Sequence, residues 1–398
     1  MITLWLTPPI YYFISCYKSE DTMRSFSESE AIVLNLLIKK ESLSKASVAS
    51  QSGLSKPTVS KIIDSLFARK VLLEQKKNNR MVYSINGGFD SILSVEINAT
   101  LIRFAIFDFT LSLKSSIQFN KYTTKVREQF LNSLCEDIKE FIKQKGIDRE
   151  TMLISVATSG VVDSLSGQII QGTANFPQWQ DFNLVTELSS RLACPVIIEN
   201  NVRSFLIGEC YLNRFSHNNN LVVICLDAGV GSAVLCSGQV LRGSTNRAGE
   251  IGFMMTSRES LSKPWIERGA VEEYCSLSGM KKRYETMTGL TLSTGHIFNL
   301  IGNNDLQANL LFNEFIDYLC IAIINITSVT NPEKIIFYGE TCKYHSFFLD
   351  KVKKILQLQK VNVDIQISTQ PEAMAMLGAA ILGYKVKYPS LNHANIKM

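Results

Sequence analysis

Residues 197–209 read I-I-E-N-N-V-R-S-F-L-I-G-E, and their reading decides the fold. The apolar run 194–198 predicts a buried strand that delivers Glu199, Asn200 and Asn201 to its end, where a helix begins. Further on come L-D-A-G-V-G-S-A-V-L-C-S-G (226–238) and R-A-G-E-I-G-F (247–253). Around these stretches, strands alternate with helices. Strands are predicted at 92–107, 152–156, 221–226, 232–236 and 334–338. Helices are predicted at 126–144, 306–329 and 372–384. In the first helix Phe130, Leu131, Leu134, Ile138, Phe141 and Ile142 recur at three- and four-residue steps, a stripe facing a core. Asn331-Pro332 stops the second helix. The third, rich in Ala and Gly, suits close packing across two lobes. The alternation predicts an α/β architecture, and periodicity alone does not choose among α/β folds.

At 398 residues the chain is long enough for two or three cores, and 46% hydrophobic with 19% charged residues excludes a disordered polypeptide. Nine cysteines are scattered with no C-x-x-C pair, several of them inside apolar runs such as V-V-I-C-L. That usage argues for a reducing cytoplasm and against a disulfide framework or a cysteine zinc site. The net charge of +5 is localised: residues 25–82 hold ten Lys/Arg against five Asp/Glu, and the remainder balances. One small N-terminal segment is thus the part suited to a polyanion. Residues 1–15 are apolar but broken by Pro8-Pro9 and preceded by no basic region. They read as a disordered start, as a misassigned one with Met23 a candidate initiator, or as a membrane-surface anchor, and as neither a span nor a signal peptide.

Within the basic segment, L-S-K-A-S-V-A-S-Q-S-G-L-S-K-P-T-V-S-K-I-I-D-S-L (43–66) predicts a helix-turn-helix. Ser44 and Ser55 cap the two helices, Gly53 supplies the positive-φ turn, and Pro57 sits in the second helix's first turn. Val59, Ile62, Ile63 and Leu66 face inward. Ser55, Lys56, Thr58, Ser60 and Lys61 remain outward, where a recognition helix meets DNA. V-L-L-E-Q-K-K-N-N-R-M-V-Y-S-I (71–85) predicts a hairpin wing whose Lys76, Lys77 and Arg80 contact phosphates. The same pattern also suits a helical hairpin mediating protein contacts; the charge localisation and the wing favour DNA.

The order of motifs resembles the ROK family of sugar kinases and repressors, with its E-N-D-x-N, G-T-G-x-G and A-G-E-x-G-H. The resemblance covers about residues 88–385 and is nearest its repressor branch, the xylose- and N-acetylglucosamine-repressor type. It implies a two-lobed hexokinase/actin-like domain at 88–398 with a sugar cleft between the lobes. Lobe 1 takes about 88–198 plus the terminal helix 372–398, and lobe 2 about 199–371. An uncertain extension (1–24) and a winged helix-turn-helix (25–87) precede it.

Carried over residue by residue, the resemblance places sugar contacts at Gly160, Thr173, Asn200, Asn201, Glu250 and Glu272. The family's catalytic Asp falls on Asn201, a neutral amide that cannot accept a hydroxyl proton, a role worth roughly 10²–10⁴-fold. D-x-G-G-T becomes E-I-N-A-T (96–100), so Asn98 and Ala99 replace glycines that let backbone N–H groups approach phosphate. G-T-G-x-G becomes D-A-G-V-G (227–231), adding the carboxylate of Asp227, and the adenosine-side glycines shrink to Y-G-E (338–340). The family's zinc ligands become Phe253, Lys263, Trp265 and Ala270, which offer no soft donors; packing of Phe253 on Trp265 is the expected replacement.

The expectation is a cytoplasmic regulator, a repressor of carbohydrate genes, without catalytic residues, metal or cofactor. Its expected partners are operator DNA, a sugar or sugar-phosphate effector and further copies of itself in a homodimer or homotetramer, with no membrane. Two alternatives stay open: control by a protein partner, and an active sugar kinase.

Overall fold

The computed structural model describes residues 26–98, 100–120, 126–147, 152–173, 179–215, 219–262, 264 and 269–391. The extension 1–24 and the zinc-loop positions Lys263 and Trp265 lie outside them. By its internal contacts the chain forms two units, one running to Leu212 and resuming at Ala375, the other Asn213–Met374.

The first unit opens with three helices whose ends are set by local chemistry. Ser27 and Glu30 form a reciprocal capping box at α1 (Glu28–Lys40). Ser44 caps α2 (Lys45–Ser52), which ends at Gly53 with φ +73°, and Ser55 caps α3 (Lys56–Ala68); each cap is worth about 1 kcal/mol. Val59, Ile63 and Leu66 of α3 are fully buried, as are Val33, Leu34 and Val48; Ile62 is half-buried. The hairpin follows, β1 (Leu72–Lys77) against β2 (Arg80–Ile85). Its two-residue turn, Asn78-Asn79, has φ +50° and +63°, the mirror-image turn that matches strand twist and that Asn tolerates. An antiparallel bridge from Leu43 to Tyr83 ties the hairpin to the helix-turn-helix.

Next come β3 (Ser91–Ile97), β4 (Leu101–Asp108), β5 (Leu113–Asn120), α4 (Arg127–Lys145), β6 (Leu153–Thr158), β7 (Val161–Asp163), β8 (Gln168–Gln171), β9 (Phe182–Asn183), α5 (Leu184–Leu192), β10 (Val196–Asn200) and α6 (Asn201–Leu212). The single strand predicted at 92–107 is a hairpin, β3–β4, because Asn98 turns the chain. The sheet runs β10-β6-β3-β4-β5, and β7-β8-β9 make a small second sheet. The predicted stripe of α4 is buried against the larger sheet in one apolar cluster.

The second unit repeats the plan with β11 (Leu221–Leu226), β12 (Val230–Cys236), β13 (Gln239–Val240), α7 (Ala270–Cys275), α8 (Leu277–Thr288), α9 (Thr294–Gly302), α10 (Leu306–Thr330), β14 (Lys334–Tyr338), α11 (His345–Leu358) and β15 (Asp364–Ile367). Its sheet order is β13-β12-β11-β14-β15. In both large sheets the first three strands are antiparallel neighbours, and the fourth and fifth add in parallel on the other side of the first. This duplicated topology is the hexokinase/actin-like arrangement that the resemblance implies. Helix α10 is long and apolar enough to cross a membrane by length and composition, with mean hydropathy 1.5 over its best window. Its Leu311, Phe312, Phe315, Leu319 and Ile323 build the second core, which accounts for that composition. Helix α12 (Pro371–Lys387) then returns the chain to the first unit.

The division after Leu212 keeps α6 with the first unit, although sequence alone suggests a break at the E-N-N turn. The physical reason is Gly378 of α12. A Cβ there would meet the Ser204 carbonyl and lie 3.1 Å from the Gly208 nitrogen, so α6 and α12 touch backbone to backbone.

Candidate functional site

The E-N-N turn sits where β10 ends and α6 begins. Glu199 is buried and holds Arg203, one helical turn on, in an ion pair of 2.7 Å. Ser164 Oγ donates to the second oxygen of Glu199 at 3.0 Å, and Arg203 Nη2 donates to the Val162 carbonyl at 2.8 Å. Asn200 accepts at Oδ1 from the backbone N–H groups of Val202 (3.0 Å) and Arg203 (3.1 Å), capping α6, and donates to the Gly160 carbonyl at 2.9 Å. One amide N–H is thus left for anything else. Asn201 is half-buried, its Nδ2 3.4 Å from Ser159 Oγ. Gly160 has φ +109°, and a Cβ would fall 2.6 Å from the Gln171 carbonyl, so only glycine suits this approach. Thr173 Oγ1 and Gln171 Oε1 are buried and have no hydrogen-bond partner among the described residues. Sequence reasoning named neither Arg203 nor Gln171; the Glu-x-x-x-Arg spacing was a usable signal for the first.

At the position of the family's first phosphate loop, Asn98 turns its side chain back on the backbone. Asn98 Oδ1 accepts from the backbone N–H groups of Thr100 at 3.0 Å and Leu101 at 2.7 Å. These two N–H groups are thus engaged by the chain's own carboxamide and not turned outward to an anion. Glu96, at the family's metal-associated carboxylate, is buried and paired with Arg103 at 3.0 Å. These residues do not fit a magnesium nucleotide.

On the second unit, Glu272 of α7 reaches in among three glycines. Its Oε2 is 3.4 Å from the Val230 N–H, and a Cβ on Gly229 or Gly252 would lie 3.3 or 3.1 Å from the same oxygen. Burial pushes the Glu272 carboxyl above the ordinary carboxylate range, and the Val230 N–H only partly offsets it. Glu250 stands at the start of the short 3-10 helix Ile251–Phe253. Asp227 turns its carboxylate back on the Ala228 N–H at 2.7 Å. On the adenosine side Glu340 pairs with Lys343 at 2.7 Å, and burial, with the nearby Asp227, pushes the Cys342 thiol up to about 12. At the family's zinc positions Phe253 and Ala270 carry no donor atom, so the described residues there do not fit zinc; the packing of Phe253 on Trp265 lies outside them.

These sequence segments, in this order on a duplicated α/β fold, match the ROK family over residues 92–385. The chain belongs to the ROK family. The xylose repressor of Bacillus subtilis is 23% identical over 337 residues, covering 82% of this chain and 85% of the relative. Among solved structures, a ROK family transcriptional regulator homologous to the E. coli MLC protein superposes with TM-score 0.73 at 18% identity, covering 91% of this chain and 96% of that one. A ROK family glucokinase from Streptomyces griseus, solved with glucose and AMPPNP, superposes with TM-score 0.61 at 17% identity, covering 74% of this chain and all of its own. The regulator matches 91% of this chain against the kinase's 74%, a share that reaches into the N-terminal helix-turn-helix and wing, together the reader.

In the reader, Ser55, Lys56, Thr58 and Lys61 are exposed on the first turns of α3. Ser55 Oγ is partly engaged, as the cap and with Thr58 Oγ1 at 2.8 Å. Ser60 differs from its neighbours: half-buried, it accepts from Lys45 Nζ at 3.1 Å and donates to Asp64 at 3.2 Å. Lys45 and Asp64 pair at 2.6 Å, and that contact holds the Asp64 carboxyl below its usual range. Ser60 therefore orders the reader from within. Lys76, Lys77 and Arg80 are exposed at the wing tip, with Lys77 directly opposite Arg80 and Lys76 opposite Met81.

Proposed function

We propose that this chain is a sugar-responsive transcriptional repressor of carbohydrate genes. It acts on DNA in the cytoplasm as a dimer and carries a ROK domain that binds an effector without phosphorylating it. The observation that carries the reading is a capped helix-turn-helix with a basic wing on the same chain as a ROK domain whose catalytic position is an amide. Lys56, Thr58 and Lys61 supply contacts along the major groove, and Lys76, Lys77 and Arg80 supply phosphate contacts. A two-fold dimer places two readers on a palindrome. Effector binding is assigned to Gly160, Thr173, Asn200, Asn201, Glu250 and Glu272. The Thr173 and Gln171 oxygens, buried with no partner among the described residues, support it, because buried polar atoms normally have partners and a sugar hydroxyl would supply them. Names of relatives make D-xylose the first sugar to test.

Asn201 cannot serve as general base, and the Asn98 turn and the Arg103-paired Glu96 oppose nucleotide binding, so the ROK domain works as a sensor. The effector needs only to bind the DNA-free arrangement better than the DNA-bound one. Selection of duplexes from a random library, followed by release with D-xylose, other pentoses, hexoses and their phosphates, tests the reading. Sequence-selective binding relieved by one of these sugars is the expected result. ATP consumption with any of these sugars, abolished in Asn201→Ala, would overturn the sensor assignment. Silence across the whole panel would reassign control to a protein partner.

A further inference from the structure

The reader is attached to the first unit through a buried polar joint that neither DNA contact nor effector binding explains. Asp90 follows the reader's last strand and directly precedes β3. Its carboxylate receives Lys387 Nζ at 2.7 Å on one oxygen and 2.6 Å on the other. The Ser91 N–H donates to it at 2.8 Å, and the Tyr388 hydroxyl completes the set. The side chains of Lys387 and Asp90 are 5% and 2% exposed. Tyr384, fully buried, donates from its hydroxyl toward the carbonyls of Asp90 and Phe107, both at 3.2 Å. Around this core Phe26 stacks on Tyr388 with centroids 5.5 Å apart, and Phe109 meets Tyr388 edge-on at 5.1 Å. Arg69 of the reader lies 5.2 Å over Phe26, and Asn35 of α1 donates to the Ser390 carbonyl at 3.3 Å.

A buried ion pair is a poor stabiliser, since apolar or neutral residues of the same shape hold a core equally well. What it does provide is one geometry. Aromatic rings slide over one another at little cost, whereas a carboxylate held by three donor groups through four contacts leaves the reader a single seat. Lys387, Tyr384 and Tyr388 belong to α12 and its end, and α12 begins in the second unit at Pro371. Midway, Gly378 presses it onto α6, whose first residue is Asn201, and a Cβ at Gly383 would lie 3.0 Å from Ile92 of β3. One helix therefore touches the element carrying the E-N-N turn, the sheet behind it and the base of the reader.

We propose that Asp90, Lys387 and Tyr388 are positioning residues for DNA binding: their joint locks the reader to α12, so that a shift of that helix re-aims the reader. This rests on the reading of the chain as a DNA-binding regulator.

The test uses the full chain, the single variant Asp90→Asn, the double variant Asp90→Asn/Lys387→Met, and duplexes selected by the wild type from a random library, each in two-half-site and single-half-site form. The single variant takes the carboxylate charge from a buried ammonium, so its melting temperature should fall. The double variant removes both charges and should regain most of that loss. Its affinity for the two-half-site duplex should stay at least about tenfold below wild type, with single-half-site affinity within about twofold. A double variant that recovers both stability and two-half-site affinity would overturn the proposal, as would parallel loss on both duplexes. Should the wild type select no duplex, the functional reading fails, and hydrogen exchange at residues 86–91 then judges the joint separately. Faster exchange there in the double variant, with β1 and β2 unchanged, supports it, and unchanged exchange refutes it.

Discussion

Replacing Gly378 by alanine is a substitution whose sign depends on the packing of α12. In a helix interior with free space, Gly→Ala is stabilising by roughly 0.5–1 kcal/mol, because the glycine loses more freedom on folding. Here the added methyl would overlap the Ser204 carbonyl oxygen, lie 2.6 Å from its carbon, and sit 3.1 Å from the Gly208 nitrogen. All three are backbone atoms of α6, so no side chain can turn aside and the helices must part. Overpacking of this kind typically costs 1–3 kcal/mol, and backbone obstacles place it at about 3 kcal/mol. Subtracting the helix gain leaves a net loss of about 2 kcal/mol, or on the order of 4–8 °C in melting temperature for a unit of this size. Differential scanning calorimetry of wild type and Gly378→Ala measures it. A melting temperature equal to or above wild type would show that α6 and α12 are not in backbone contact, and the route from the E-N-N turn to the reader would fail with it.

Alanine at Lys76, Lys77 and Arg80 together should lower the salt slope of DNA binding by about 2.7 per protomer if each meets one phosphate, and an undiminished slope would refute the wing assignment. Lys77 and Arg80 share one face of the hairpin and Lys76 the other, so Lys76→Ala alone should lower the slope by about 0.9 in titrations at several salt concentrations, and an unchanged slope would remove Lys76 from the phosphate contacts. Glu272→Gln should raise the melting temperature at neutral pH. The native carboxyl titrates above its unfolded value, so the unmodified protein loses stability as pH rises from the unfolded carboxylate range through the native one. The advantage should vanish at acid pH, where both states are protonated, and an advantage independent of pH would contradict the burial argument. Asn201→Asp restores a carboxylate but should not restore ATP consumption with any sugar, because the Asn98 turn and the Glu96–Arg103 pair remain; measurable turnover in a coupled assay would refute that account.

Much of the reader was legible because its determinants are local. Ser44, Gly53 and Ser55 act on N–H and C=O groups within a few residues, and the burial of Val59, Ile63 and Leu66 follows from helical spacing. Strand 334–338 and the start of α10 were read to the residue for the same reason. The Asn98 turn was local too, yet the sequence showed only that a glycine was missing. The structure shows that the Asn98 carboxamide accepts from the Thr100 and Leu101 N–H groups.

The sequence by itself determined which side chains stand at the family's motif positions, because a carboxylate, an imidazole or a thiolate is present or absent at a position whatever surrounds it. Only the tertiary structure decided what the remaining groups do. Asn200 spends most of its amide on capping α6 and on the Gly160 carbonyl, Ser60 is drawn inward by Lys45, and Asp90 finds Lys387 across 297 positions of chain. Such a pair leaves no periodic trace. Its members meet because the duplicated fold returns the last helix to the first sheet, and burial then makes their charges matter.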